Sequence, residues 1–241
     1  MHEVTGAVSR EWELFPDGDA ALVLAFPARL DPRINARCVA VAEALRRRPV
    51  QGVRDVVEAF ATVTVHFDPL AGDAGAIETV LRSLAEKATA PAGEDPLPPG
   101  REVRLPVCYG GARGPDLADV ARFARCSEAE VVERHCRASY RVYMLGFQPG
   151  FAYLGAVDPR IAAPRREVPR VHVPAGSVGI AARQTGVYPV ASPGGWQLVG
   201  QTPVRIFDMS RSDPFLLAAG DRVRFEPIDE ASYDRLEGGR P

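Results

Sequence analysis

The run Val173-Pro174-Ala175-Gly176-Ser177-Val178-Gly179-Ile180 decides the fold, with Gln184-Thr185-Gly186-Val187-Tyr188-Pro189 and Ser192-Pro193-Gly194-Gly195-Trp196-Gln197-Leu198-Val199-Gly200 close behind it. Short apolar stretches alternate with glycine and proline. A helix cannot be built this way, because proline removes a backbone donor and its ring clashes with the preceding turn. Working outward, the same pattern begins after Ser139 and continues to about Pro227, with proline at 149, 159, 164, 169, 174, 189, 193 and 203. Many short strands separated by such turns predict a closed or nearly closed β-barrel. Ahead of it stand a strand, Glu102 to Cys108, and a loop at Gly110, Gly111 and Gly114. A helix capped by Asp116 runs through Phe123, and a second spans 128–137, where Ser127 and Glu130 have capping-box spacing. The tail from Asp229 is charged and glycine-rich and is expected to fray.

The first part of the chain follows a different pattern. Glu11 to Phe15 and Ala20 to Phe26 read as strands joined at Pro16-Asp17-Gly18-Asp19. Asp31-Pro32 opens a helix whose apolar residues Ile34, Cys38, Val41, Ala42 and Leu45 repeat at three and four. Arg46, Arg47 and Arg48 end it as a solvated last turn. Val53 to Ala59 and Thr62 to Phe67 are two more strands; in the second, His66 shares the polar face with Thr62 and Thr64. Ile77 to Ala88 is a second amphipathic helix. Residues 89–100 carry four prolines and two glycines and read as a linker. The expectation is an α+β chain of two domains: a small N-terminal α/β sandwich-like domain over 1–88, and a β-barrel domain over 101–241.

Composition narrows the function. A net charge of -2 gives no pull towards nucleic acid or anionic lipid. No run is long and apolar enough for a membrane span, and residues 1–11 lack the apolar stretch of a signal peptide, so a cytoplasmic protein is expected. Lys87 is the sole lysine, which excludes a phosphate loop of the G-x-x-x-x-G-K type and leaves no evident biotin-carrying lysine. Cys38, Cys108, Cys126 and Cys136 have no metal-ligand spacing, and no metal site is expected.

The glycine–proline loops are the candidate site. Glycine lets a backbone approach a ligand or take positive φ. Gly176, Ser177 and Gly179 have the spacing of a backbone nest, whose N–H groups would hold an anion or a developing oxyanion. Tyr153, Tyr188 and Trp196 offer apolar walls with polar tips. Plain barrel turns would also explain these residues.

The stretches L-G-F-Q-P-G-F-A-Y-L-G (145–155), P-R-R-E-V-P-R (164–170), V-P-A-G-S-V-G-I, Q-T-G-V-Y-P and S-P-G-G-W-Q-L-V-G-Q-T-P resemble the signature of the PxpB family, the B subunits of 5-oxoprolinase. That family includes KipI-type kinase inhibitors and proteins labelled allophanate hydrolase subunit 1. Y-G-G-x-x-G-P-D-L-A at 109–118 adds to the likeness, and Ala152 departs from the usual F-P-Y-L. The resemblance implies a cyclophilin-like barrel. It also implies one component, inactive alone, of an ATP-dependent hydrolase that opens 5-oxo-L-proline, a small anionic amide, to L-glutamate. The implied partners are a sister C subunit, carboxyltransferase-like, and an A subunit, with ATP used by the assembled complex. Alternatives are a regulator that inhibits a histidine kinase, or a carboxyltransferase-like or amidohydrolase component of the urea/allophanate branch. Such a reaction would need arginine for the substrate carboxylate, and Arg166, Arg170 and Arg183 lie beside the signature loops. Gln148, Gln184 and Gln197 are suited to fixing the amide. His135, at a position where the family has a histidine, is the candidate for proton transfer.

Overall fold

A hairpin is the first element of the described residues. β1 (Glu13–Pro16) and β2 (Ala21–Ala25) pair antiparallel across a turn in which the Asp17 N–H donates to the Ala21 carbonyl at 2.9 Å. Gly18 takes φ +66° there, a conformation glycine adopts without steric cost. The computed structural model describes residues 11–89 and 100–238. The chain divides into two units, residues 1–97 and 98–241. The linker read at 89–100 lies outside the described residues except for its two ends, as do residues 1–10, on which the signal-peptide reading rests.

In the first unit, α1 (Pro32–Arg47) starts as its sequence dictates: the Asp31 carboxylate accepts the Arg33 N–H at 2.8 Å and Pro32 fills the first turn. β3 (Val53–Glu58), β4 (Thr62–Phe67) and α2 (Ala74–Thr89) follow. The sheet order is β1-β2-β4-β3, antiparallel throughout. Leu22, Leu24, Val56, Val63 and Val65 face Ile34, Cys38, Leu45, Ile77 and Leu81 in one core, while His66 is exposed as its alternation required. The helix-end arginines do not all stay in solvent. Arg46 reaches β3, where it pairs with Glu58 and donates to the Val56 carbonyl at 2.7 Å.

The second unit contains β5 (Glu102–Tyr109), α3 (Leu117–Ala124), α4 (Glu128–Arg137), β6 (Tyr140–Leu145) and β7 (Ala152–Gly155). It continues through β8 (Arg170–Val173), β9 (Ser177–Ala181), β10 (Gln184–Val187), β11 (Ser192–Gly194), β12 (Gln197–Gln201), β13 (Arg222–Ile228) and α5 (Glu230–Gly238). Seven strands close a barrel in the order β10-β7-β6-β13-β5-β12-β9, the closed form read from the sequence. One pairing is parallel: β13 lies along β5 from Arg222 opposite Glu102 to Ile228 opposite Cys108. Leu105, Val107, Val142, Leu154, Val178, Ile180, Val187, Val199 and Phe225 fill the interior, joined by Leu117 and Val120 of α3 and Val131 of α4. β8 and β11 form a separate two-stranded ribbon.

Two local expectations are corrected. Asp116 makes no side-chain cap to α3, because its carboxylate is engaged elsewhere, whereas Ser127 does cap α4 by accepting the Glu130 N–H at 3.2 Å. The tail does not fray from Asp229. It forms α5, whose Tyr233 is 1% exposed, with the Arg113 guanidinium 3.4 Å above its ring and ion-paired to Asp234 at 2.7 Å. A buried aromatic and a cation–π contact outweigh the poor helix propensity of a charged, glycine-ended segment. Tyr233→Ala is therefore expected to destabilise the barrel unit by about 3 kcal/mol, seen as a lower urea midpoint. An unchanged midpoint would mean that the tail contributes nothing.

Candidate active site

The site lies on the outer wall of the barrel. β9 and β10 turn Val178, Ile180 and Val187 inward. Between these residues Gly179 stands opposite Gly186 in the antiparallel register, leaving a bare patch on the outer face. Trp196 covers it. A Cβ added at Gly179 would come within 3.0 Å of the Trp196 Cβ, and one added at Gly186 within 3.2 Å of both the Phe151 and Trp196 rings. These two glycines are required by close approach rather than by backbone angle. Phe151 anchors the cluster, meeting Tyr153, Tyr188 and Trp196 edge-to-face with centroids 4.9, 5.2 and 5.4 Å away. The β8–β11 ribbon adds the remaining wall, since Gly194 passes so close to the Tyr188 ring that no side chain would fit.

These elements enclose a pocket of about 230 Å³ lined by Phe147, Tyr153, Arg165, Tyr188, Trp196 and the Gly194–Gly195 backbone, among others. Arg165 is exposed, its guanidinium carbon 5.9 Å from the Trp196 ring centre, with no acidic partner among the described residues. Burial pushes the Tyr153 and Tyr188 phenols up, and the Arg165 charge works in the opposite direction. Both hydroxyls therefore stay protonated. Phe147 sits at the rim, 63% exposed and at φ +68°, a strained conformation for an aromatic residue. A larger hollow of about 440 Å³ lies between Pro203–Arg205, Asp208–Arg211 and Leu236. There Arg205 and Arg211 are both turned to Asp208, 3.4 and 4.0 Å away, and the aromatic walls are missing, so the smaller pocket has the better chemistry.

The expected site residues are distributed unevenly. Tyr153, Tyr188 and Trp196 come together in the pocket. Gln148, Arg183 and Gln184 do not line it; the last two sit at the far end of β10 from Tyr188. Arg166 and Arg170 do not face a ligand, because both donate to the buried Asp116 carboxylate, at 2.9 and 2.6 Å. Gln197 donates to the Pro164 carbonyl at 3.0 Å. The nest reading of Gly176, Ser177 and Gly179 is corrected. The Gly176 N–H is taken by the Tyr188 carbonyl at 2.7 Å and the Ser177 N–H by the Pro174 carbonyl at 3.3 Å, while Gly179 lies mid-strand. An added Cβ at Gly176 would strike the Thr202 carbonyl, so this is a tight turn with φ +80°.

His135 is inside the barrel unit rather than in the pocket. It is fully buried, stacked on Phe225 at 4.6 Å, with Nδ1 2.7 Å from the Tyr109 hydroxyl and Nε2 2.9 Å from Thr185 Oγ1. Thr185 gives its one proton to the Gly179 carbonyl at 2.9 Å, so Nε2 carries the imidazole proton and Nδ1 accepts from Tyr109. Burial lowers the His135 pKa to about 3, which keeps the ring neutral.

Two contributors escape a reading of the sequence. Arg165 adjoins Arg166, and in an irregular segment nothing in the sequence says which of the pair turns outward. Asp116 precedes a helix and reads as a cap. Among the described residues no group of three or more His, Cys, Asp and Glu is placed to hold a metal, and no helix is long and apolar enough to cross a membrane.

Residues 12–217 match the family described as carboxyltransferase domain, subdomain C and D. The crystal structure of TTHA0988 superposes with a TM-score of 0.76 at 39% identity, over 87% of this chain and 40% of that one, so this chain spans about two fifths of that protein. The Kluyveromyces lactis urea carboxylase structure gives 0.73 at 20% identity, covering 93% of this chain and 22% of that one, a likeness of fold alone. The fold is thus that of a carboxyltransferase-type C/D module. The 5-oxoprolinase B subunit of Bacillus subtilis (strain 168) is 43% identical over 223 residues, 90% of this chain and 92% of that protein. The chain belongs to the PxpB family of 5-oxoprolinase B subunits.

The state of His135 has a measurable consequence. The unfolded histidine takes up a proton below about pH 6.5, and the folded one does not until about pH 3. The stability due to neutral His135 is therefore complete above pH 6.5 and is lost as pH falls towards 3, at up to about 1.4 kcal/mol per pH unit. In urea titrations between about pH 4 and 6, His135→Gln is expected to show the shallower pH dependence. Equal slopes would mean that the folded ring is protonated in that range.

Proposed function

We propose that the chain is the B subunit of an ATP-dependent hydrolase that opens 5-oxo-L-proline to L-glutamate, working in the cytoplasm with a sister C subunit and an A subunit. The observation that carries this reading is Arg165, a guanidinium without an acidic partner among the described residues at the edge of a small pocket walled by Trp196, Tyr153 and Tyr188. 5-Oxoproline has one carboxylate and one nearly flat lactam ring. The planar fork of Arg165 suits the carboxylate. The aromatic walls suit the ring and exclude water, and the Tyr188 hydroxyl can donate to its carbonyl oxygen. The pocket does not fit a nucleoside triphosphate. It is about 230 Å³ in volume, its single arginine is Arg165, and the nearby Gly176 and Ser177 N–H groups are already bonded. Activation of the lactam by ATP is therefore assigned to the partner subunits, and this chain binds and orients the substrate.

Glutamate release from 5-oxoproline and ATP by the reconstituted three-subunit complex tests the proposal. The chain alone should release none. Arg165→Ala should lower kcat/KM about 100-fold, equivalent to about 2.7 kcal/mol, with an unchanged melting temperature. Full activity in that variant, or a complex that hydrolyses allophanate and leaves 5-oxoproline untouched, would overturn it.

A further inference from the structure

We infer that Asp116 is a positioning residue for the pocket: its buried carboxylate holds the 164–170 segment and the start of β12 together, so that Arg165 and Trp196 face the same ligand. The inference rests on the reading of Arg165 given above. The geometry supports it from both sides of the pocket. Asp116 is 2% exposed. One of its oxygens, Oδ1, accepts from Arg166 Nη1 at 2.9 Å and from Arg170 Nη2 at 2.6 Å. The other, Oδ2, accepts the Leu198 N–H at 2.7 Å, and the Asp116 N–H donates to the Leu198 carbonyl at 2.9 Å. Leu198 is two residues beyond Trp196, so the same carboxylate holds both walls.

Arg165 is fixed through its neighbours. The Pro164 carbonyl is held by Gln197, the Arg166 N–H donates to the Gly195 carbonyl at 2.8 Å, and the Arg166 side chain is on Asp116. With its flanking residues pinned, Arg165 has its backbone set beside Trp196. Asp116 also acts on charge. Arg166 and Arg170 would otherwise present two more guanidinium groups close to the pocket and compete for a carboxylate. Turned onto one buried anion, both are engaged away from a ligand, and the carboxylate offsets one of their two positive charges. The pocket is left with one outward cation, which suits a ligand bearing one carboxylate. The same clamp explains why two arginines of the P-R-R-E-V-P-R stretch lie at the site without entering it.

A double-mutant cycle in the reconstituted complex tests this, with KM and kcat for 5-oxoproline measured for wild type, Asp116→Asn, Arg165→Ala and the double variant. Asp116→Asn keeps the shape and removes the charge. It is expected to raise KM about tenfold with kcat changed less than about threefold, and to add less than about twofold once Arg165 is alanine. If the two losses multiply in full, Asp116 acts independently of Arg165 and the inference is wrong, although the Arg165 reading stands. If Arg165→Ala by itself leaves KM and kcat unchanged, the reading of Arg165 falls and this inference with it. Should Asp116→Asn fail to fold, Arg166→Lys, which keeps the charge but loses the planar fork, takes its place in the cycle under the same criteria.

Discussion

The parallel pairing of β13 with β5 is the constraint on which the barrel unit depends. Without it the seven strands would form one open sheet with β13 and β5 as its unpaired edges. Closure satisfies those edges internally and commits the inward side chains to a dry core. His135, a polar group deep in that core, is tolerated because Tyr109 and Thr185 use both ring nitrogens and leave no unpaired donor or acceptor on the ring. A filled interior leaves no room for a ligand, so binding chemistry has to be built on the outer wall.

The outer wall is specialised by omission. Most outward positions of a strand carry a side chain that would hold a neighbouring layer off. Gly179 and Gly186 carry none, and they are paired across adjacent strands, so the gap is wide enough for an indole. Trp196 fills it, and the ring cluster around Phe151 gives the pocket its floor and sides. The β8–β11 ribbon has no place in the barrel and closes the pocket from outside.

Much of this is legible from the chain itself. Alternation in Thr62–Phe67 marks the buried and exposed faces of β4 because one face of that sheet meets two helices. The spacing of prolines after Ser139 points to the barrel, because proline and glycine constrain the backbone locally and wherever they occur. What cannot be read depends on distant partners. Arg46 reads as solvated until Glu58 is placed beside it. The C-terminal segment reads as frayed because Arg113, which stacks on Tyr233, lies far away in sequence. The Gly176 turn reads as an open nest because its partner, the Tyr188 carbonyl, belongs to another loop.

The arginines show the same limit at the site itself. Arg165, Arg166 and Arg170 have the same chemistry and lie within one short segment. What separates their roles is one carboxylate, Asp116, far earlier in the chain. A cation facing a buried anion becomes part of the scaffold, and the cation left over becomes available to a ligand. An acid before a helix and an arginine beside a proline each read as ordinary surface features, so sequence alone finds the neighbourhood of such a site but not the residue that serves it. Assigning the role requires finding which charges are already paired, and only the three-dimensional arrangement supplies that.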